Sequence, residues 1–207
     1  MRFFTESRQK VLFEFSKKYY KTHKFDYLHQ FDHILRVIWW TRFLSLKERA
    51  DPSITIPAAI LHDIALSTFG DKLHAKAGSK MCKPILKKFS YNETEIEKIS
   101  ETISMHSTDD PRPPKTIEAR VLFDSDKLDA TGPIGLHRWF FEYARYGYKN
   151  YKAVQKSLEC LSEWKKKYGN PPFFTKTAKK ISIGRIRYIE RIFKEIIADG
   201  KKFENLQ

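Results

Sequence analysis

The sequence predicts an all-α protein, a single domain over residues 1–207 with about eight or nine helices. Three observations predict it. Apolar residues recur at spacings of three, four and seven along most of the chain, the period that gathers them on one face of an α-helix. No stretch of convincing length alternates apolar with polar residues as a half-buried strand does. With 41% hydrophobic and 14% aromatic residues, a chain of 207 can fill one core.

The elements follow in order. Phe3, Phe4, Val11, Leu12, Phe15 and Tyr19 form one stripe of a first helix that ends near Thr22. A second helix covers 27–47 and carries Phe31, Ile34, Leu35, Ile38, Trp39 and Phe43. Asp51-Pro52-Ser53 interrupts the pattern, and Pro57 suits the first turn of a helix over 58–66. Helices at 73–89 and 93–106 come next. Asp109-Asp110-Pro111-Arg112-Pro113-Pro114 must be a loop, because each proline lacks an N–H and restricts the residue before it. Beyond it lie helices at 117–128, 134–146 and 151–168, then a stop at Gly169-Asn170-Pro171-Pro172. In a last helix Ala178, Ile181, Ile186, Ile189, Ile192, Phe193, Ile196 and Ile197 make a docking stripe, leaving Lys179, Lys180, Arg187, Arg191 and Lys194 for solvent.

Composition removes several classes of function. Cys82 and Cys160 are the only cysteines, too few for a disulfide scaffold or a thiolate zinc cluster, so any metal must be held by histidine and carboxylate. Residues 1–21 interleave Glu6, Arg8, Lys10 and Glu14 with apolar positions, unlike a signal peptide. The best apolar runs, 37–40 and 56–61, fall far short of the roughly 20 residues of a membrane span. The expectation is a cytoplasmic protein with no membrane partner. Charge is the unusual global quantity: 39 basic against 25 acidic residues, a net +14, with 16 basic and 5 acidic between Arg145 and Lys202. Such a balance favours anionic partners. Without a recognisable nucleic-acid module, lysine-rich solvated faces of amphipathic helices are the preferred reading over a nucleic-acid surface.

The chemistry lies in the histidines. Of His23, His29, His33, His62, His74, His106 and His137, only His62 is followed directly by a carboxylate, Asp63, at the end of the apolar run Ile60-Leu61. An imidazole and a carboxylate emerging together from a buried helix suit metal ligation, although the dipeptide alone arises by chance. Its surroundings add weight: His33-Ile34-Leu35-Arg36-Val37 upstream, and Phe123-Asp124-Ser125-Asp126-Lys127-Leu128-Asp129-Ala130 downstream.

An H-x-x-R-V helix, L-H-D-I, His74, I-x-x-H ending at His106, and D-x-D-K-L-D-A-x-G, in that order, resemble the HD-domain metal-dependent phosphohydrolases over about residues 31–138. The motif core would span about 27–140, with the helices of 151–200 packed on it. Residue by residue, the resemblance implies His33, His62, Asp63 and Asp126 as ligands of a divalent ion: Mn²⁺, Mg²⁺, Fe²⁺, Co²⁺, Ni²⁺ or Zn²⁺. Asp126 rather than Asp124 matches the family aspartate because it immediately precedes the basic-Leu-Asp segment; Asp124 would be structural or orient a histidine, and Asp129 would cap a helix or pair at the surface. His74 and His106 match positions that either hold a second metal, with Asp63 bridging, or face a substrate phosphate, so one or two ions per chain are implied.

The implied activity is cleavage of a phosphoester or phosphoanhydride of a nucleotide or related phosphorylated metabolite by metal-activated water. Asp63, Arg36, His74, His106 and Lys127 are its candidate catalytic residues. Arg36, three residues after His33 and so on the same helix face, is the first choice for phosphate contact, with an ion pair to Asp32 or Asp63 as the competing reading. Gly132 and Gly135 would allow a tight turn that brings Arg138 near the pocket mouth. His23, His29 and His137 match no ligand position, and Trp39, Trp40, Trp139, Phe140 and Phe141 are expected in the core rather than stacked on a base. The GYP tripeptide of the cyclic-dinucleotide branch is absent; Gly147-Tyr148-Lys149 lies outside the motif context. Two alternatives stand beside this reading: a di-iron oxygenase on the same scaffold, and nucleic-acid binding through the basic C-terminal third.

Overall fold

The computed structural model describes residues 4–109, 112–148 and 151–204. Phe3, Asp110, Pro111 and Lys149, named above, lie outside the described residues. Among the described residues there are ten α-helices, a 3₁₀ turn at Tyr27–His29 and no strand. The fold is all-α, with one helix more than the eight or nine expected. The chain divides into two compact units, one ending at Asp126 and the other beginning at Lys127.

In the first unit α1 is Ser7–Thr22, α2 is Phe31–Glu48 and α3 is Pro52–Leu61. A short α4 (Leu66–Phe69), α5 (His74–Lys88) and α6 (Glu93–Ser104) follow, and α7 (Ile117–Asp129) runs out of the unit at its end. Asp51 is not a breaker but the N-cap of α3: its carboxylate accepts from the Ser53 N–H at 2.8 Å, and Pro52 occupies the first turn, where a missing N–H costs nothing. Pro57 therefore sits inside this helix, which stops at Leu61 rather than continuing to 66. Residues 62–65 form a turn, and α4 is the helix by which the count exceeds the expectation. Likewise α2 starts at Phe31, because Asp26 accepts from the Leu28 and His29 N–H groups to close the 3₁₀ turn, and Gln30 is extended.

Every α3 residue from Ile54 to Leu61 is buried. A helix apolar all round has no solvent face, and α3 is accordingly the hub against which α1, α2 and α6 pack. The core joins Ile56, Ile60, Leu61 and Ile64 to Leu12, Ile34, Val37, Leu86, Ile99 and Ile103. Two side-chain bonds set the register of α1 on α3: Gln9 Nε2 donates to the Pro52 carbonyl at 3.1 Å, and Ser16 Oγ to the Ile60 carbonyl at 3.1 Å. Both contacts advance together, so the two helices run side by side in one direction. Helix α5 comes close to the backbone beyond α3 at Gly78, where a Cβ would lie 3.2 Å from the His62 carbonyl oxygen. Glycine is needed there for the close approach.

In the second unit α8 (Gly132–Arg145), α9 (Tyr151–Tyr168) and α10 (Lys176–Glu204) pack on one another. Arg185 of α10 donates from Nε to Thr131 Oγ1 and from Nη2 to the Thr131 carbonyl, each at 2.8 Å. Arg138 pairs at 3.2 Å with Asp129, which is 1% exposed, so the expected surface pairing of Asp129 is a buried one. Trp39 and Phe140 are 42% and 43% exposed, contrary to their expected place in the core. No described helix is long and apolar enough to cross a membrane.

Candidate metal centre

Helices α2, α5 and α7, the turn after α3 and the residues just past the end of α6 converge on one carboxylate. Asp63 is the second residue of that turn and is buried. Its two oxygens face different partners. Oδ2 lies 3.2 Å from His62 Nε2 and 3.5 Å from His33 Nε2. Oδ1 lies 3.4 Å from His106 Nε2 and 3.5 Å from His74 Nε2. On the Oδ2 side, Asp126 Oδ1 is 3.3 Å from His33 Nε2. All six residues singled out as ligands or second-metal positions are thus in one cluster, and all lie in the first unit.

The histidine rings are held for ligation by the backbone. His62 Nδ1 is 2.9 Å from the Ala59 carbonyl, His106 Nδ1 2.6 Å from that of Ile103, and His74 Nδ1 2.5 Å from that of Asp71. A carbonyl only accepts, so each Nδ1 carries the hydrogen and, in the neutral ring, each Nε2 presents a bare lone pair. Yet Nε2 of His74 and Nε2 of His106 are 3.0 Å apart, and those of His62 and His33 are 3.3 Å apart. Between His74 and His106 two lone pairs therefore face each other and repel, and a proton or a cation between them relieves this.

Burial opposes the proton. It is the main cause that pushes the pKa of His106 down to about 4, against the pull of the neighbouring Asp63 and with the help of His74 and His62. Burial also favours the neutral acid at Asp63, but the surrounding imidazoles of His62, His106 and His33 outweigh it and hold the carboxyl well below its ordinary range. Near neutral pH the cluster therefore sets an anionic carboxylate among imidazole nitrogens, that of His106 uncharged. That donor set fits a divalent cation, and two overlapping groups, His33 with His62 and Asp126, and His62 with Asp63 and His106, bring their ligand atoms within 4.8 Å of one another.

The remaining candidates are less central. Arg36 forms the i,i+4 ion pair with Asp32, one of its two competing readings. Lys127, next to Asp126 on α7, is half-buried, and Asp124 is fully buried. His23 is exposed and stacks on Tyr19. His29 is held by Asp26 through Nδ1 at 2.9 Å, its ring edge-on to His33 with centroids 5.7 Å apart. The carbonyl anchors of the histidines escaped the sequence reading. Their signal was present, since all three lie three residues before the histidine they hold, as local helical geometry requires.

A helical protein with a buried histidine–carboxylate cluster able to hold divalent cations is the class that this fold and site define. Residues 31–131 match the HD domain. It is 25% identical over 131 residues to YpgQ, an uncharacterized protein of Bacillus subtilis; the match takes in 61% of this chain and 63% of YpgQ, less than two thirds of that relative. Among solved structures, an HD-superfamily hydrolase of Bacillus thuringiensis is 25% identical with a TM-score of 0.74, covering 94% of this chain and 97% of that one. YpgQ solved in complex with ADP is 20% identical with a TM-score of 0.72, covering 93% and 94%.

Proposed function

We propose that this chain is a metal-dependent phosphohydrolase acting on a phosphoester or phosphoanhydride of a nucleotide. The observation that carries the reading is the two-faced Asp63, an ionised carboxylate with a histidine pair on each oxygen. The ADP complex of YpgQ supports a nucleotide as the substrate class, and the net charge of +14 supports an anionic one.

In this reading His33, His62, Asp63 and Asp126 hold one divalent ion, and His74 and His106 either hold a second or face the substrate phosphate. When bound, the ion supplies a Lewis acid and a water acidic enough to yield hydroxide near neutral pH. The Nδ1–H bonds to Ala59, Ile103 and Asp71 keep three rings pointed at Asp63, so the cluster needs little reorganisation. Arg36 contacts the phosphate by exchanging its pairing with Asp32, and Lys127 offers a second cation to the charge that develops on the phosphoryl oxygens. Cys82 and Cys160 are both free thiols, which supports a reducing compartment, the cytoplasm.

The test is elemental analysis of the purified protein beside phosphate or pyrophosphate release from a nucleotide panel with added Mn²⁺ or Mg²⁺. Wild-type protein should carry metal and turn over at least one nucleotide. The double variant His62→Ala, Asp63→Ala should lose both, and turnover that survives in it would refute the assignment.

A second reading, a di-iron oxygenase, is favoured by one observation: the histidines on Oδ1 can complete a two-cation centre. Two irons per chain with dioxygen uptake, and no phosphate release, would select it.

A further inference from the structure

We infer that Tyr20 is a positioning residue of the metal centre, its hydroxyl held in reserve as a hydrogen-bond donor to an oxygen in the shell of the cation at Asp63. The inference rests on the metal-binding part of the reading above.

Tyr20 is 6% exposed, and its hydroxyl is buried without a hydrogen-bond partner. Such a group is uncommon, because burying an unpaired hydroxyl forfeits its bonds to water. A phenylalanine would pack equally well here: the ring stacks on Phe25 with centroids 3.9 Å apart and tilts against Phe31 at 5.6 Å. Packing therefore accounts for the ring and leaves the oxygen unexplained.

The register of α1 on α3 says where that oxygen belongs. Gln9 meets Pro52 and Ser16 meets Ile60, so the next turn of α1, which carries Tyr20, runs alongside the turn that carries Asp63. An electrostatic observation agrees with the register. After burial, the charge of Asp63 is the next cause that pushes the Tyr20 pKa upward, so the group stays protonated and able to donate. From the other side, Phe31 in contact with the ring lies two residues before His33 on α2. The orphaned donor is thus bracketed by elements that carry ligands, and the chemistry it lacks, an acceptor oxygen, is what a hydrated cation on Asp63 brings.

The experiment is Mn²⁺ titration of the chelator-stripped full chain, read by the electron paramagnetic resonance of free Mn²⁺, with the melting temperature of the metal-free protein in parallel. Tyr20→Phe should weaken Mn²⁺ binding roughly tenfold, the lower end for loss of a group that supports a metal ligand. It should leave the metal-free melting temperature unchanged or raised, since an unpaired buried hydroxyl is removed. Ser16→Ala, which loses a buried bond on the same face of α1, should lower the melting temperature and leave the affinity within twofold. Affinity within twofold of wild type in Tyr20→Phe would overturn the inference, and so would an equal loss in Ser16→Ala, which would trace the effect to docking of α1. Wild-type protein that binds Mn²⁺ but hydrolyses no nucleotide would overturn the hydrolase reading alone.

Discussion

The two sides of Asp63 are built from different materials. Around Oδ2 stand His33 and His62, both fully buried, with a second carboxylate, Asp126, added. Around Oδ1 stand His106, also buried, and His74, whose side chain is 12% exposed, and the described group of His62, Asp63 and His106 holds no second carboxylate. A divalent ion on the Oδ2 side would meet two anionic groups, and one on the Oδ1 side only the shared one. In a buried site of low dielectric that difference in charge decides affinity more than the number of imidazoles does. The Oδ2 side should hold its ion first and more tightly.

The largest expected effect comes from removing what the two sides share. Asp63→Asn keeps the shape of the side chain and deletes its charge, and should weaken both sites by about 100-fold or more, beyond the loss seen for groups that merely support a ligand. Elemental analysis after purification reads this directly, and retention of even one ion per chain would break the comparison. Next come the single-sided variants. His33→Ala should abolish the tighter step of metal binding on the Oδ2 side, whereas His74→Ala should remove only the weaker one and leave one tightly held ion per chain; equal losses of affinity would mean that the two sides do not differ.

A smaller effect is expected at Gly78, where a Cβ would come within 3.2 Å of the His62 carbonyl. Gly78→Val presses α5 away from the turn, and because α5 carries His74, binding on the Oδ1 side should fall severalfold while the Oδ2 side holds. Two-step metal titration separates the two. The mildest test is pH. His106 has its folded pKa lowered to about 4 from 6.5, so between those values the unfolded chain binds the extra proton. Stability of the metal-free protein should therefore be fully present above about pH 6.5 and decline as pH falls towards 4, as thermal melts across that window will show; His106→Gln should flatten the slope.

Much of this cluster was legible from the order of its motifs. His33, His62, Asp63, His74, His106 and Asp126 were all implied by the resemblance to the HD-domain family, and all converge. Helix α9 was also legible at both ends, since Gly169-Asn170-Pro171-Pro172 stops it and a regular stripe fills it. What was hidden depends on local competition or on distant partners. Pro57 reads as a helix start, but Asp51 and Pro52 had already capped the helix one turn and more before it. No spacing could tell which oxygen of Asp63 each histidine would meet, because that follows from the packing of α5 and α6 against the turn. Trp39 and Phe140 lie on helical stripes yet face solvent, since a stripe records periodicity and not what covers it.

The complete burial of α3 has a kinetic meaning. With no residue from Ile54 to Leu61 near water, the amides of this helix have no local opening through which to exchange with deuterium, and should exchange only when the whole first unit unfolds. His62 and Asp63 follow directly on that helix. The fluctuation that would displace these two ligands and the one that would unfold the unit are then a single event, so both ligands stay in place in the native state with or without the cation.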